Sequence, residues 1–173
     1  TAVIIANWNG KKYLKDCFDS LRAQSCKDFK IILVENGSED GSEDFVRQKY
    51  PEVEIVRLEE NAGFAKGYNV GIQKAFEEKN IEYVFVLNND TKLDEKCLEE
   101  LVICAKKHPE AGSIQSKVLN FFDPEKIDCA GILLSTDGVA TNRGYDEKDS
   151  GQYDNEAEIF GARVIDSSVE GFA

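Results

Sequence analysis

The sequence predicts an α/β fold with a mainly parallel sheet flanked by helices. Three observations carry this reading: short apolar runs recur along residues 2–6, 30–34, 53–58 and 84–87, amphipathic helical patterns separate them, and each run stops at a polar cluster. The order β-α-β-α-β-α-β-α demands right-handed crossovers, and those return successive strands parallel to one another.

Each element has its own local reason. Ala2 to Ala6 is apolar and mostly β-branched, and it gives way to Asn7-Trp8-Asn9-Gly10, a polar turn carrying one aromatic. Leu14, Cys17, Phe18 and Leu21 then fall at helical spacing. The second strand, Lys30 to Val34, ends in Glu35-Asn36-Gly37-Ser38, and Ser42 is placed as N-cap of a helix through Phe45 and Tyr50. Val53 to Leu58 alternates apolar and charged residues, the pattern of a strand nearer the sheet edge.

Asn61 to Gly71 opens a helix whose predicted buried face is Ala65, Tyr68, Ile72, Ala75 and Phe76. A helical glycine costs about 0.5–1 kcal/mol against alanine. Three of them (Gly63, Gly67 and Gly71) therefore require either close approach of a ligand or tight packing of helix on strand. Val84 to Leu87 reads as the central strand, buried on both faces and ending in Asn88-Asn89-Asp90. A helix through Cys97, Leu98, Leu101, Val102 and Ala105 follows, capped by Asp94 and stopped before Pro109. Beyond Gly112, Ser113 to Leu119 and Ile127 to Leu134 read as strands, and Ser135 to Asn155 as a polar surface loop.

Bulk properties narrow the function. With 42% hydrophobic and 31% charged residues, the 173-residue chain suits one domain with a sizeable core. The 33 acidic and 21 basic residues leave a net charge of −12, which disfavours nucleic acid or anionic lipid as partners. Five cysteines (Cys17, Cys26, Cys97, Cys104 and Cys129) without a C-x-x-C pair argue against a disulfide framework or a zinc site and suit a cytoplasmic protein. His108 reads as a helix-end or surface residue, and the acidic run from Asp146 to Asp154 as a solvated loop. No apolar run approaches the roughly 18 residues of a membrane span, so membrane contact is expected only peripherally, at the inner face of the cell membrane.

The sharpest inference is convergence. Adjacent parallel strands place their carboxyl ends on one edge, so Asn7 to Asn9, Glu35 to Ser38, and Asn88 to Asp90 would line one crevice. An aromatic (Trp8), an acceptor (Glu35) and a carboxylate suited to a metal (Asp90) are what a nucleoside diphosphate needs: a stacking surface, a bond to the base, and a cation at the pyrophosphate.

These residues carry a family resemblance. Val3 to Gly10, Leu14 and Cys17 with Ser20-Leu21, Val34 to Ser42, Asn61 to Gly71, and Leu87 to Thr91 together resemble the nucleotide-binding part of a family-two glycosyltransferase. The resemblance is closest to the rhamnosyltransferase-like branch in its N-x-D form of the D-x-D motif. It implies a GT-A, Rossmann-like fold over the whole chain, with residues 1–110 the nucleotide-sugar half and 111–173 the start of an acceptor half truncated here. It also implies that Asp90 is the ligand of a divalent cation (Mn or Mg), that Asn88 stands in place of a first aspartate, that Glu35 bonds the base, and that Trp8 packs against it.

The implied nucleotide-binding set is Asn7, Trp8, Asn9, Glu35, Asn36, Asn61, Gly63, Lys66, Asn69, Asn88, Asn89 and Asp90. The family's catalytic base, an acidic residue, is not assignable: Phe160-Gly161-Ala162 resembles the start of the acceptor-side strand, after which Asp166 and Glu170 are the acidic residues. The expected activity is inverting, metal-dependent transfer from a UDP- or dTDP-linked sugar to a hydroxyl on a glycan or lipid-linked acceptor, as in polysaccharide biosynthesis. The alternative is a nucleotide-sugar-binding module or inactive fragment without turnover.

Overall fold

The computed structural model describes residues 1–159 in full and the backbone of residues 162–171. It falls into two compact units, one made of residues 1–19 and 27–90 and the other of residues 20–26 and 91–173.

The first unit is built on β1 (Ala2–Asn7), in which Ala2 to Ile5 are fully buried. Each such aliphatic side chain contributes about 1.5–3 kcal/mol when taken out of water. After α1 (Lys11–Ala23), β2 (Lys30–Asn36) pairs parallel with β1, and after α2 (Ser42–Lys49), β3 (Glu54–Leu58) pairs parallel with β2. The chain then forms α3 (Phe64–Phe76) and returns to the far side of β1 as β4 (Val84–Asn88). The order β3-β2-β1-β4, all parallel with helical crossovers, is the predicted architecture.

Three local expectations change. Val84 to Leu87 is not central: β4 pairs with β1 alone among the described residues, and Val86 is 46% exposed. An apolar run does not distinguish an edge strand from a central one, and β1 takes the centre. Ser42 is not the N-cap but the first helical residue. Gly41 occupies the cap position, Asp40 Oδ1 accepts the Ser42 N–H at 3.0 Å, and the Ser42 hydroxyl is engaged elsewhere. The face of α3 is also rotated. Gly67, Tyr68, Gly71 and Ala75 are buried, whereas Ala65 and Phe76 face solvent.

The glycines explain that rotation. A Cβ on Gly71 would overlap Ile4 Cγ2 and lie 2.9 Å from Val34 Cγ2, while one on Gly67 would meet Ala6 Cβ at 3.4 Å. Helix α3 therefore packs backbone-close onto β1 and β2, over a core of Ala2, Ile4, Ile32, Tyr68 and Ala75. Packing accounts for Gly71 without a ligand, whereas a Cβ at Gly67 would make ordinary contacts.

The second unit contains β5 (Thr91–Leu93), α4 (Cys97–Lys107), β6 (Ile114–Asn120), β7 (Ile127–Cys129), β8 (Ile132–Leu134), β9 (Ala140–Asn142), β10 (Ala157–Ile159) and β11 (Ala162–Gly171). Its main sheet runs β10-β11-β6-β7 with β5 also on β11, and only β6 and β11 are parallel. The predicted strand 127–134 is two strands, interrupted at Gly131 with φ 115°. The predicted 135–155 loop includes β9, which pairs with β8 in a hairpin. Asp149 and Asp154 from the same segment each lie 2.8 Å from the buried Lys117 ammonium on β6. Helix α4 starts two residues after the Asp94 expectation, with Lys96 at the cap position. Asp94 Oδ1 accepts the Lys96 N–H, and Gln24 Oε1, buried, accepts that of Leu98 at 2.9 Å.

Candidate functional site

The carboxyl ends of β1, β2 and β4 bring three of the predicted clusters together. Register sets Asn7 opposite Glu35 and Ala6 opposite Asn88. The buried Asn7 amide joins the strand ends: its Nδ2 donates to Glu35 Oε1 and Oε2 at 3.2 and 3.0 Å, and its Oδ1 accepts Asn89 Nδ2 at 2.7 Å. A Cβ on Gly10 would overlap Asn89 Nδ2 and come within 2.5 Å of Asn7 Oδ1, so glycine leaves this bond room to form.

Glu35 is 1% exposed and held by four contacts. Besides the Asn7 pair, Oε1 accepts the Ser38 hydroxyl and Oε2 accepts the Ser42 hydroxyl at 2.8 Å. A carboxylate has about four lone-pair directions. A base N–H reaching Glu35 would thus have to displace a protein donor. The Ser38 hydroxyl oxygen also accepts the Asn9 N–H at 2.9 Å, and Asn9 Oδ1 accepts the Glu39 N–H at 2.9 Å. Asn9 sits at φ 49°, a left-handed conformation that asparagine tolerates, in the turn that leaves Trp8 56% exposed.

The second arm of the site leads to α3. Asn36 donates to Asn61 Oδ1 at 3.1 Å and to the Gly63 carbonyl at 3.3 Å, and its Oδ1 accepts the Ala62 N–H at 2.9 Å. Gly37 closes this corner at φ 73°, where a Cβ would press 2.6 Å from the Glu60 carbonyl carbon. Gly63, at φ 83° with open space beside it, leads into α3, whose Lys66 and Asn69 side chains are exposed. These two are not drawn into the strand-end network described above.

Ser38 belongs to the site as the end of the predicted Glu35 to Ser38 cluster, and Ser42 and Tyr68 belong to it although the sequence did not single them out for it. The Tyr68 hydroxyl lies 3.0 Å from both the Leu87 carbonyl and Asn88 Oδ1, to which it donates. Burial, with the nearby Asp90 charge adding to it, pushes the phenol up to about 12, so it stays a neutral donor. A tyrosine where a buried helical face would accept phenylalanine is the signal that could have marked it. Asp90 is half-buried, and burial raises its carboxyl above the usual range. A lone, partly desolvated carboxylate fits a hard cation that draws its other ligands from phosphate oxygens, the usual arrangement for Mg²⁺.

The second unit holds a different cluster. Cys104, His108 and Glu156 bring sulfur, nitrogen and oxygen within 4.8 Å of one another. His108 does cap α4 as expected, and Cys104, whose spacing from the other cysteines argued against a zinc site, stands with it in a group that could hold an ion. The missed signal is Cys-x-x-x-His at a helix end, which puts both side chains on one face. No cysteine is in a disulfide. Phe160 and Gly161 lie outside the described residues. Asp166 lies in β11 within a register shift between Ile165 and Val169, and the Glu170 backbone pairs with Lys92 and Leu119.

The family model described as Glycosyl transferase family 2 matches residues 2–152. Among curated relatives, a teichoic acid poly(glycerol phosphate) polymerase of Staphylococcus epidermidis is 28% identical over 95 residues, 53% of this chain and 13% of that protein. A poly-beta-1,6-N-acetyl-D-glucosamine synthase of Staphylococcus epidermidis is 27% identical over 113 residues, 64% of this chain and 26% of that protein. The chain thus spans well under half the length of these relatives. Among solved structures, S. aureus TarS 1-349 in complex with UDP superposes with a TM-score of 0.61 at 22% identity, covering 69% of this chain and 35% of TarS 1-349. It has also been solved with UDP-GlcNAc, and the likeness shows a shared fold.

Proposed function

The chain belongs to glycosyl transferase family 2, and from that premise we propose that it binds a nucleoside diphosphate sugar at the carboxyl ends of β1, β2 and β4 and serves its transfer, with inversion, to an acceptor hydroxyl. The observation that carries this reading is the single network joining Asn89, Asn7, Glu35 and Ser42, which holds three strand ends in one fixed arrangement. In this reading Trp8 offers its exposed face to the base, and Asn9 and Ser38 set the turn that presents it. Residues 1–110 are the donor half and 111–173 open the acceptor half. The TarS complexes with UDP and UDP-GlcNAc support uridine as the base. A thymidine nucleotide and the rhamnosyltransferase-like branch stand as alternatives within the same proposal.

Asp90 is the residue that would hold a divalent cation, with the donor diphosphate completing the coordination. When bound, the cation offsets the negative charge that develops on the leaving diphosphate. Tyr68 holds Asn88 in place beside it as an uncharged donor, and the cytoplasm, with its nucleotide sugars, is the compartment this reading requires.

The test is a thermal-shift panel of nucleoside diphosphates with and without manganese, since a ligand selective for the folded state raises Tm with occupancy. Uridine diphosphate with manganese is expected to raise Tm, and less so without it. A panel in which no nucleoside diphosphate raises Tm would overturn the reading.

A further inference from the structure

We propose that Cys104, His108 and Glu156 form a binding site for a borderline-soft transition-metal ion such as Zn²⁺, separate from the donor site and independent of it. Cys104 and His108, four residues apart, project from the same face of the last turn of α4. Cys104 is 1% exposed and His108 is half-buried, so two of the three ligands are partly desolvated before any ion arrives. Glu156, immediately before β10, brings Oε2 to 3.0 Å from His108 Nε2.

The distances suit coordination. Bond lengths of about 2.3 Å to sulfur and about 2.0–2.2 Å to nitrogen or oxygen put tetrahedral ligand atoms about 3.2–3.8 Å apart. The three atoms here, all within 4.8 Å, need to close by no more than about an ångström to meet that. The buried Cys104 thiol is a preferred zinc ligand once deprotonated.

The surroundings are also those of a ligating histidine. Glu110 Oε1 lies 3.2 Å from Nδ1, so the ring can donate there and keep Nε2 for the metal, the carboxylate–histidine–metal relay that orients such ligands. Lys107 Nζ is 3.3 Å from the other Glu156 oxygen, Oε1, which leaves Oε2 to the ion. A thiolate and a carboxylate balance a dication with the imidazole neutral. Three protein ligands leave a fourth position for water, and the ion would tie the approach to β10 onto the end of α4.

Cobalt(II) alone, added to the metal-free chain, is the probe, because a thiolate ligand gives it a near-ultraviolet charge-transfer band that oxygen ligands do not. Wild type is expected to bind one cobalt with that band, Cys104→Ser to lose the band, and Glu110→Gln to weaken binding by about 10- to 100-fold. His108→Gln, at a half-buried position, decides the matter should Cys104→Ser fail to fold: it too is expected to lose the site. Cys17, 3.8 Å from the Asn88 carbonyl, is the control for sulfur near the donor site. Cys17→Ala is expected to keep the band. Absence of the band in wild type, its survival in folded Cys104→Ser or in His108→Gln, or its loss in Cys17→Ala would overturn the proposal.

Discussion

Glu35→Gln probes the strand-end network at its centre. Glutamine converts one carboxylate oxygen into an NH₂, and Asn7 Nδ2 contacts both oxygens, so either amide orientation sets a donor against a donor. Asn7 cannot turn its own amide to compensate, because its Oδ1 already accepts Asn89 Nδ2. The Ser38 and Ser42 hydroxyls can rotate to accept instead. The net loss is one bond to a charged acceptor, worth about 1.5–3 kcal/mol, with part of the penalty for a buried unsatisfied donor. A destabilisation of about 2–4 kcal/mol follows, a large share of a typical total of about 5–15 kcal/mol. Urea unfolding should show it as a lowered midpoint at constant slope. A change below about 0.5 kcal/mol would refute the reasoning, since a surface carboxylate behaves that way. Ligand binding by the same variant separates two roles. Unchanged pyrophosphate affinity with weakened nucleoside diphosphate affinity places Glu35 at the base, and equal loss of both rejects that placement.

Three further outcomes are expected. Gly71→Ala gains about 0.8–1 kcal/mol of helix propensity but forces a Cβ against Ile4 and Val34, an overpacking of about 1–3 kcal/mol, so a net loss of up to about 2 kcal/mol should appear on urea unfolding. Lys117→Met should cost less than the roughly 3–5 kcal/mol of a broken buried pair, because Asp149 and Asp154 both reach water. Burial raises the Asp149 carboxyl, but Lys117 and the Gly151 N–H more than offset it and leave it depressed, so its stabilisation is present above the unfolded-state pKa and lost as pH falls through the depressed value. Acid unfolding of Lys117→Met should therefore show a shallower loss. Asp90→Asn removes a carboxylate whose ionised form burial disfavours, so the ligand-free chain should be as stable or more so at neutral pH, while calorimetry should show manganese-dependent nucleotide binding abolished.

Much of the first unit was legible because its signals are local. Apolar runs, helical spacing and polar strand ends gave four strands and three crossovers in order, and alternation in Val53 to Leu58 marked the edge position of β3. What escaped depended on partners distant in sequence. The edge position of β4 is a property of the sheet order, not of Val84 to Leu87, and the rotated face of α3 follows from where Ile4 and Val34 stand. The Gln24 cap on α4 lies 74 residues from the Leu98 N–H that it accepts. The acidic 146–154 run reads as solvated until Lys117, 32 residues before Asp149 and 37 before Asp154, is seen buried beside it. In the site, residue types at strand ends were visible, but the saturation of Glu35 by Asn7, Ser38 and Ser42 was not, because hydrogen bonds leave no periodic trace.

The uncharged Asn88 acquires a physical reason from its neighbours. Its Oδ1 accepts from Tyr68, whose phenol is already raised by burial and by the Asp90 charge. A second carboxylate at this position would face Asp90 across a few residues in a partly desolvated corner, and like charges there would push both carboxyls further up. Asparagine keeps the hydrogen bond and avoids that repulsion. Under the proposed reading the consequence is a weak site for a cation by itself, since a single carboxylate supplies the formal charge. The donor diphosphate supplies the missing negative charge, so cation and nucleotide should bind with strong mutual dependence. By linkage, the factor by which nucleotide tightens the cation equals the factor by which the cation tightens nucleotide. Under that reading, the dependence would couple occupancy of the metal position to the presence of donor, which a preformed pair of carboxylates would not do.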